Sequence, residues 1–71
     1  MKNTFIKDIH NKSIHVGDTV KMRPYINKEY TGKVVFDETI SDYVIVNNSN
    51  EVVGILSRYS DLEIVNKAKG E

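Results

Sequence analysis

Val16-Gly17-Asp18-Thr19-Val20 and Gly32-Lys33-Val34-Val35-Phe36 decide the fold, because each joins a glycine to the opening of a β-type run. Glycine removes the penalty of a positive φ, so Gly17-Asp18 marks a bend. Thr19-Val20-Lys21-Met22-Arg23 then alternates, with Val20 and Met22 inward and Thr19, Lys21 and Arg23 outward. The second run carries Val34 and Phe36 on one face. Working outward, Tyr43-Val44-Ile45-Val46, Glu51-Val52-Val53-Gly54-Ile55-Leu56-Ser57 and Leu62-Glu63-Ile64-Val65 are three further runs. Thr4-Phe5-Ile6 is a short strand or an extended arm.

The connections support this division. Asp8 to Ile14 forms a turn in which Asn11 tolerates a left-handed backbone. Asn47-Asn48-Ser49-Asn50 is a hairpin turn whose side chains bond to their own backbone. Gly54 inside its run implies a bulge or a sharp bend. Pro24 is expected to close the strand before it, since it has no amide to donate to a ladder. Tyr25 to Tyr30 is then the one stretch where a helical turn fits, with Pro24 near its first position.

Composition agrees with a β protein. Valine and isoleucine supply 17 of the 28 apolar residues, against two leucines and one alanine. Branched side chains are stiff at χ1 and pack well on a pleated surface. With 71 residues and no cysteine, the chain has neither the length for two domains nor a disulfide to support one. Chains of this size bury only about 60% of their unfolded surface, so the core must carry the fold alone. Residues 1–66 are expected to form one domain, an all-β, five-stranded SH3-like barrel with one short helical turn between two strands. Residues 67–71 are expected to fray as a polar tail. No apolar run approaches the length of about 18 residues that spans a bilayer, and no secretory h-region is present. A cytoplasmic location follows as the expectation.

Two sets of residues resemble known families. Asp8, Lys12, Ile14, Gly17, Asp18 and Val20 fall at the spacing of an Asp-x-x-x-Lys-x-Ile-x-x-Gly-Asp-x-Val segment that resembles the YopX family of phage proteins. Asn11 stands where that family usually has glycine. Ser60 to Asn66 is similar to the closing strand of those proteins, although the middle of this chain departs from them. Over Thr4 to Val65 the chain is more similar to the YorP-type proteins, small single-domain products of prophages. That likeness implies a five-stranded β fold with one short helix and a phage genome in a bacterial host. It implies no activity.

Catalytic chemistry is not expected. The chain has no Gly-rich phosphate loop, serine elbow or cysteine nucleophile. Asp37, Glu38 and Asp42 crowd one connection, but a barrel filled by its own side chains has little room for a pocket that separates two carboxyl pKa values. His10 and His15 are expected to be exposed turn histidines, not ligands, so neither metal nor cofactor is anticipated. What remains is a surface. Lys21, Arg23, Lys28 and Lys33 cluster around Tyr25 and Tyr30, and Tyr59 adds a further ring. Cations interleaved with aromatics suit a single-stranded nucleic acid in the manner of KOW-type barrels. Tyr25, Tyr30, Tyr43 and Tyr59 could instead line a peptide groove of the SH3 kind, against the commoner outcome of half-buried tyrosines at strand ends among solvated lysines. With zero net charge the protein partner, of phage or host origin, is the leading expectation and nucleic acid the alternative. A monomer is expected; self-association through Thr4-Phe5-Ile6 and Val52-Val53 edges is a third possibility. Residues 1–33 hold seven basic and three acidic side chains, and residues 34–71 reverse those numbers.

Overall fold

Asn11 and Gly17 take φ angles of 63° and 98°, so both bends expected between the first strands are left-handed turns. The computed structural model of the chain describes residues 2–25, 28–59 and 61–67. Seven antiparallel strands follow in order: β1 (Asn3–Lys7), β2 (Ser13–His15), β3 (Thr19–Tyr25), β4 (Lys28–Asp37), β5 (Asp42–Val46), β6 (Val52–Ile55) and β7 (Glu63–Asn66). β1 and β2 form a two-stranded ribbon. The other five form one sheet in the order β6-β5-β4-β3-β7. The architecture is therefore almost wholly β, with a five-stranded antiparallel sheet beside a ribbon.

The helical turn expected between Pro24 and Gly32 is replaced by strand. β3 runs through Pro24 to Tyr25, and β4 already begins at Lys28, which pairs with Tyr25. Positions 26 and 27, also within the expected helix, lie outside the described residues. Pro24 is accommodated because the ladder breaks register between Met22 and Tyr25, and β7 covers β3 only from Thr19 to Lys21. A proline at such an irregularity withholds no donor from a partner. The single helical segment among the described residues is a 3-10 turn, Leu56–Arg58, cut from the end of the run that sequence alone reads as strand to Ser57.

The core is one cluster: Ile14, Val20, Met22, Val34, Ile45, Leu56 and Leu62, each at most 1% exposed. Val20, Met22 and Val34 face inward, as alternation requires. Phe36 shares that face but lies beyond the cluster, edge-on to Tyr43 at 5.3 Å between centroids, with the Lys2 ammonium 5.4 Å from its ring. Val16 donates to the Lys2 carbonyl and extends the ribbon by one bond. The ribbon and its flanking turns dock on the sheet through backbone bonds: Gly17 donates to the Val34 carbonyl, Val34 to that of Asp18, and Ile9 to that of Leu62.

Polar side chains hold the turns. Asn47 Oδ1 accepts from the amides of Ser49 and Glu51, closing the expected hairpin with Asn50 at a φ of 61°. The β5–β6 ladder shifts register between Ile45 and Val46, so a bulge sits next to Gly54. Asp18 is fully buried, and its carboxylate accepts from the His15 amide and from the Lys67 ammonium at 3.0 Å. Lys67, placed by sequence in a frayed tail, is thus tied to the ribbon.

Candidate interaction surface

Cross-strand register decides what the β3–β4 hairpin presents. Lys21 opposes Thr31 and Thr19 opposes Lys33, whereas Met22 opposes Tyr30. Because strand side chains alternate between faces, Lys21 and Lys33 share the outer face and Tyr30 belongs to the face of Met22. Tyr30 is nevertheless 40% exposed. Lys21 and Lys33 are therefore on the opposite side of the hairpin from Tyr30. Tyr25 and Lys28 are brought together as a backbone pair at the hairpin end, and their side chains lie outside the described residues.

The outer face carries its own counter-ions. Arg23 Nε donates to Glu29 Oε2 at 2.7 Å, and both groups are solvent-exposed. The hydrogen bond and charge of Glu29 hold the Arg23 guanidinium above its ordinary value, and the bond from Arg23 holds Glu29 below the usual carboxylate range. Lys21 Nζ lies 3.7 Å from Glu63 Oε1 on the facing strand β7. Glu63 also meets His10 Nε2 at 3.4 Å. Exposed pairs of this kind contribute little to stability. Their consequence is electrostatic: two of the four basic residues of the proposed patch sit beside carboxylates of the same chain.

Tyr59 does not extend that surface. It is half-buried, packs against the core, and its ring lies where a Cβ on Gly54 would be. A side chain at position 54 would displace the ring, so this glycine is the seat of the tyrosine. His10 is exposed as expected, but His15 lies in β2 and not in a turn, with its Nδ1 3.3 Å from Lys67 Nζ. Among the described residues no group of three or more His, Cys, Asp and Glu side chains could hold a metal ion, and no helix is long and apolar enough to cross a membrane. A shallow groove of about 380 Å³ runs between the Asp8–Lys12 turn and β7, lined by Asp8, His10, Lys12, Ile64, Val65 and Lys67. Its carboxylate is already satisfied. Burial opposes ionisation of Asp8, yet backbone amides of Lys12, Ile64 and His10, aided by the charge of His10, outweigh it and hold the carboxyl below its ordinary value.

The most exposed large apolar side chain among the described residues is one that the sequence did not single out as a site. Phe5, in the middle of β1, is 85% exposed and has a φ of 63°. β1 pairs through Asn3 with His15 and through Lys7 with Ser13, so Thr4, Phe5 and Ile6 stand against Ile14 alone. The excess chain bulges outward at Phe5. Asn3 Oδ1 accepts from the Phe5 amide at 2.8 Å, and buried Thr4 donates its hydroxyl to the Ile14 carbonyl while accepting from the Ile6 amide. The Asn-Thr pair before Phe5 was the available signal, because both side chains readily bond nearby backbone.

Comparison with protein-family models, curated proteins and solved structures finds no match.

Proposed function

We propose that this chain is a non-enzymatic interaction module that docks on another protein, of phage or host origin, in a bacterial cell that carries it as a prophage product. The observation that carries this reading is the distribution of exposed groups. On the β3–β4 hairpin the chain's own carboxylates accompany Lys21 and Arg23, while large apolar groups, Phe5 foremost, remain in water. Exposed apolar side chains on a rigid scaffold are what a protein contact uses. The sheet with its docked ribbon is consistent with an SH3-like barrel, which supplies such a scaffold without an internal cavity for chemistry.

Nucleic-acid binding through Lys21, Arg23, Tyr25, Lys28, Tyr30 and Lys33 is the second reading. Exposed Lys33 and Tyr30 favour it. The opposed faces of Lys21 and Lys33 against Tyr30, and the carboxylates beside Lys21 and Arg23, count against a continuous stacking groove. Affinity capture from the encoding bacterium, with and without nuclease, tests the choice. The module reading expects a protein retained after nuclease treatment. Recovery that nuclease abolishes, or no recovery above an unrelated small β domain, contradicts it.

A further inference from the structure

Phe5 combines three features that seldom coincide without a use. Its backbone is left-handed, a conformation that penalises any residue with a bulky Cβ substituent. Its ring is 85% exposed, so packing does not repay that penalty. Its bulge is held by specific side-chain bonds from Asn3 and Thr4 and so is a built part of the ribbon. Strain that the surrounding structure maintains is a recognised mark of functional positions.

The surroundings indicate what receives the ring. Lys7, two positions after Phe5 on β1, and Lys12, in the turn that joins β1 to β2, are exposed. The acidic residue of that turn, Asp8, is buried with its carboxylate bonded to backbone amides. The neighbourhood of Phe5 is thus apolar at its centre and basic at its margin. We infer that Phe5 is a docking anchor, which a protein partner takes into an apolar pocket bordered by carboxylates. A single ring with no second platform beside it on the described strand suits insertion into a pocket better than stacking along a strand of bases. This inference rests on the protein-docking reading and adds to it the anchor and the chemistry of the partner.

The test places the photo-reactive amino acid p-benzoylphenylalanine at position 5, and in a separate chain at exposed Ile40, in cells of the encoding bacterium. Position 5 is expected to give one protein adduct whose cross-linked segment is apolar and flanked by Asp or Glu, with Ile40 giving none of it. Excess wild-type chain is expected to suppress the adduct. A Phe5→Asn chain is expected to compete about 30-fold less well, the loss typical of a removed aromatic hot spot. Lys7→Glu with Lys12→Glu is expected to weaken competition as well. Asn tolerates the left-handed conformation, so Phe5→Asn should melt at or above the wild-type temperature. An adduct with nucleic acid or with a second copy of this chain overturns the inference. Equal competition by Phe5→Asn does so too, as does a melting temperature several degrees lower, which would make Phe5 a structural residue. Silence at position 5 with a protein adduct at Ile40 removes the anchor and leaves the docking reading. Silence at both removes both.

Discussion

Asp8 joins two segments with one carboxylate, accepting from His10 and Lys12 in its own turn and from Ile64 in β7. Asp8→Asn replaces one acceptor oxygen by an N–H donor and leaves a partly buried amide unmatched. The expected loss is about 1–3 kcal/mol, read as a lower denaturation midpoint. The pH dependence follows from the sign of the shift. A carboxyl held below its ordinary value in the fold stabilises fully above the usual aspartate range, and that contribution fades as pH falls through the lowered value. The gap between wild type and Asp8→Asn should therefore be widest near neutrality and shrink in strongly acid solution. A gap that does not change with pH would contradict the assignment.

Two backbone positions make opposite predictions. A Cβ at Gly32 would lie 2.5 Å from both Ile45 Cγ2 and the Val46 carbonyl oxygen. The backbone carbonyl cannot swing aside, so Gly32→Ala should cost at least about 1–3 kcal/mol, measurable by thermal or denaturant unfolding. At Phe5 the residue itself carries the strain, and Phe5→Asn should gain about 1 kcal/mol because it relieves a left-handed conformation and removes almost no packing.

At the scale of elements, β7 is the informative strand. It is an edge of the five-stranded sheet, yet the Ile64 amide meets the Asp8 carboxylate and the Leu62 carbonyl meets the Ile9 amide. The Asp8–Lys12 turn thus takes the place of a further strand and blunts that edge against pairing with another chain. Hydrogen exchange checks this: the Ile64 amide should exchange slowly despite its edge position, and Asp8→Asn should accelerate it. Fast exchange in the wild type would show an open edge.

The strands of the five-stranded sheet were legible from their branched residues, whereas Ser13–His15, read largely as turn, becomes β2 only through its pairing with β1; the turns were legible because Asn11, Gly17, Asn47 and Asn50 advertise their conformations. The β3–β4 hairpin misled at one point. Pro24 signals a strand end when read locally, but a register break in the ladder removed the need for its missing donor. Candidate residues suffered from the same cause. Proximity in sequence put Tyr30 with Lys21 and Arg23, whereas cross-strand register separates Tyr30 from Lys21. Glu63, the counter-ion of Lys21, lies 42 positions away in sequence (63 minus 21) and only the β3–β7 pairing reveals it. Phe5 was seen as part of an edge, because no local pattern announces a bulge whose cause is a count of residues against Ile14. Arg23→Ala should leave the melting temperature nearly unchanged, since the Arg23–Glu29 pair is solvent-exposed; a clear drop would mean the pair has a structural role.

For the whole molecule, the seven strands of the described residues pack on one apolar cluster. The opposite charge balance of the two sequence halves does not become two charged faces, because β3 and β4 lie between β7 on one side and β5 with β6 on the other. Lys21 beside Glu63 is that interleaving at a single contact. On the β3–β4 hairpin Lys21 and Arg23 sit beside carboxylates of the same chain, which lowers the positive potential there for a polyphosphate. Titration of the isotopically labelled protein with single- and double-stranded oligonucleotides, followed by amide shifts at low salt, tests this most directly. The account predicts shifts that stay flat throughout the hairpin. Saturable, salt-sensitive changes at Lys21, Arg23 and Lys33 would contradict it.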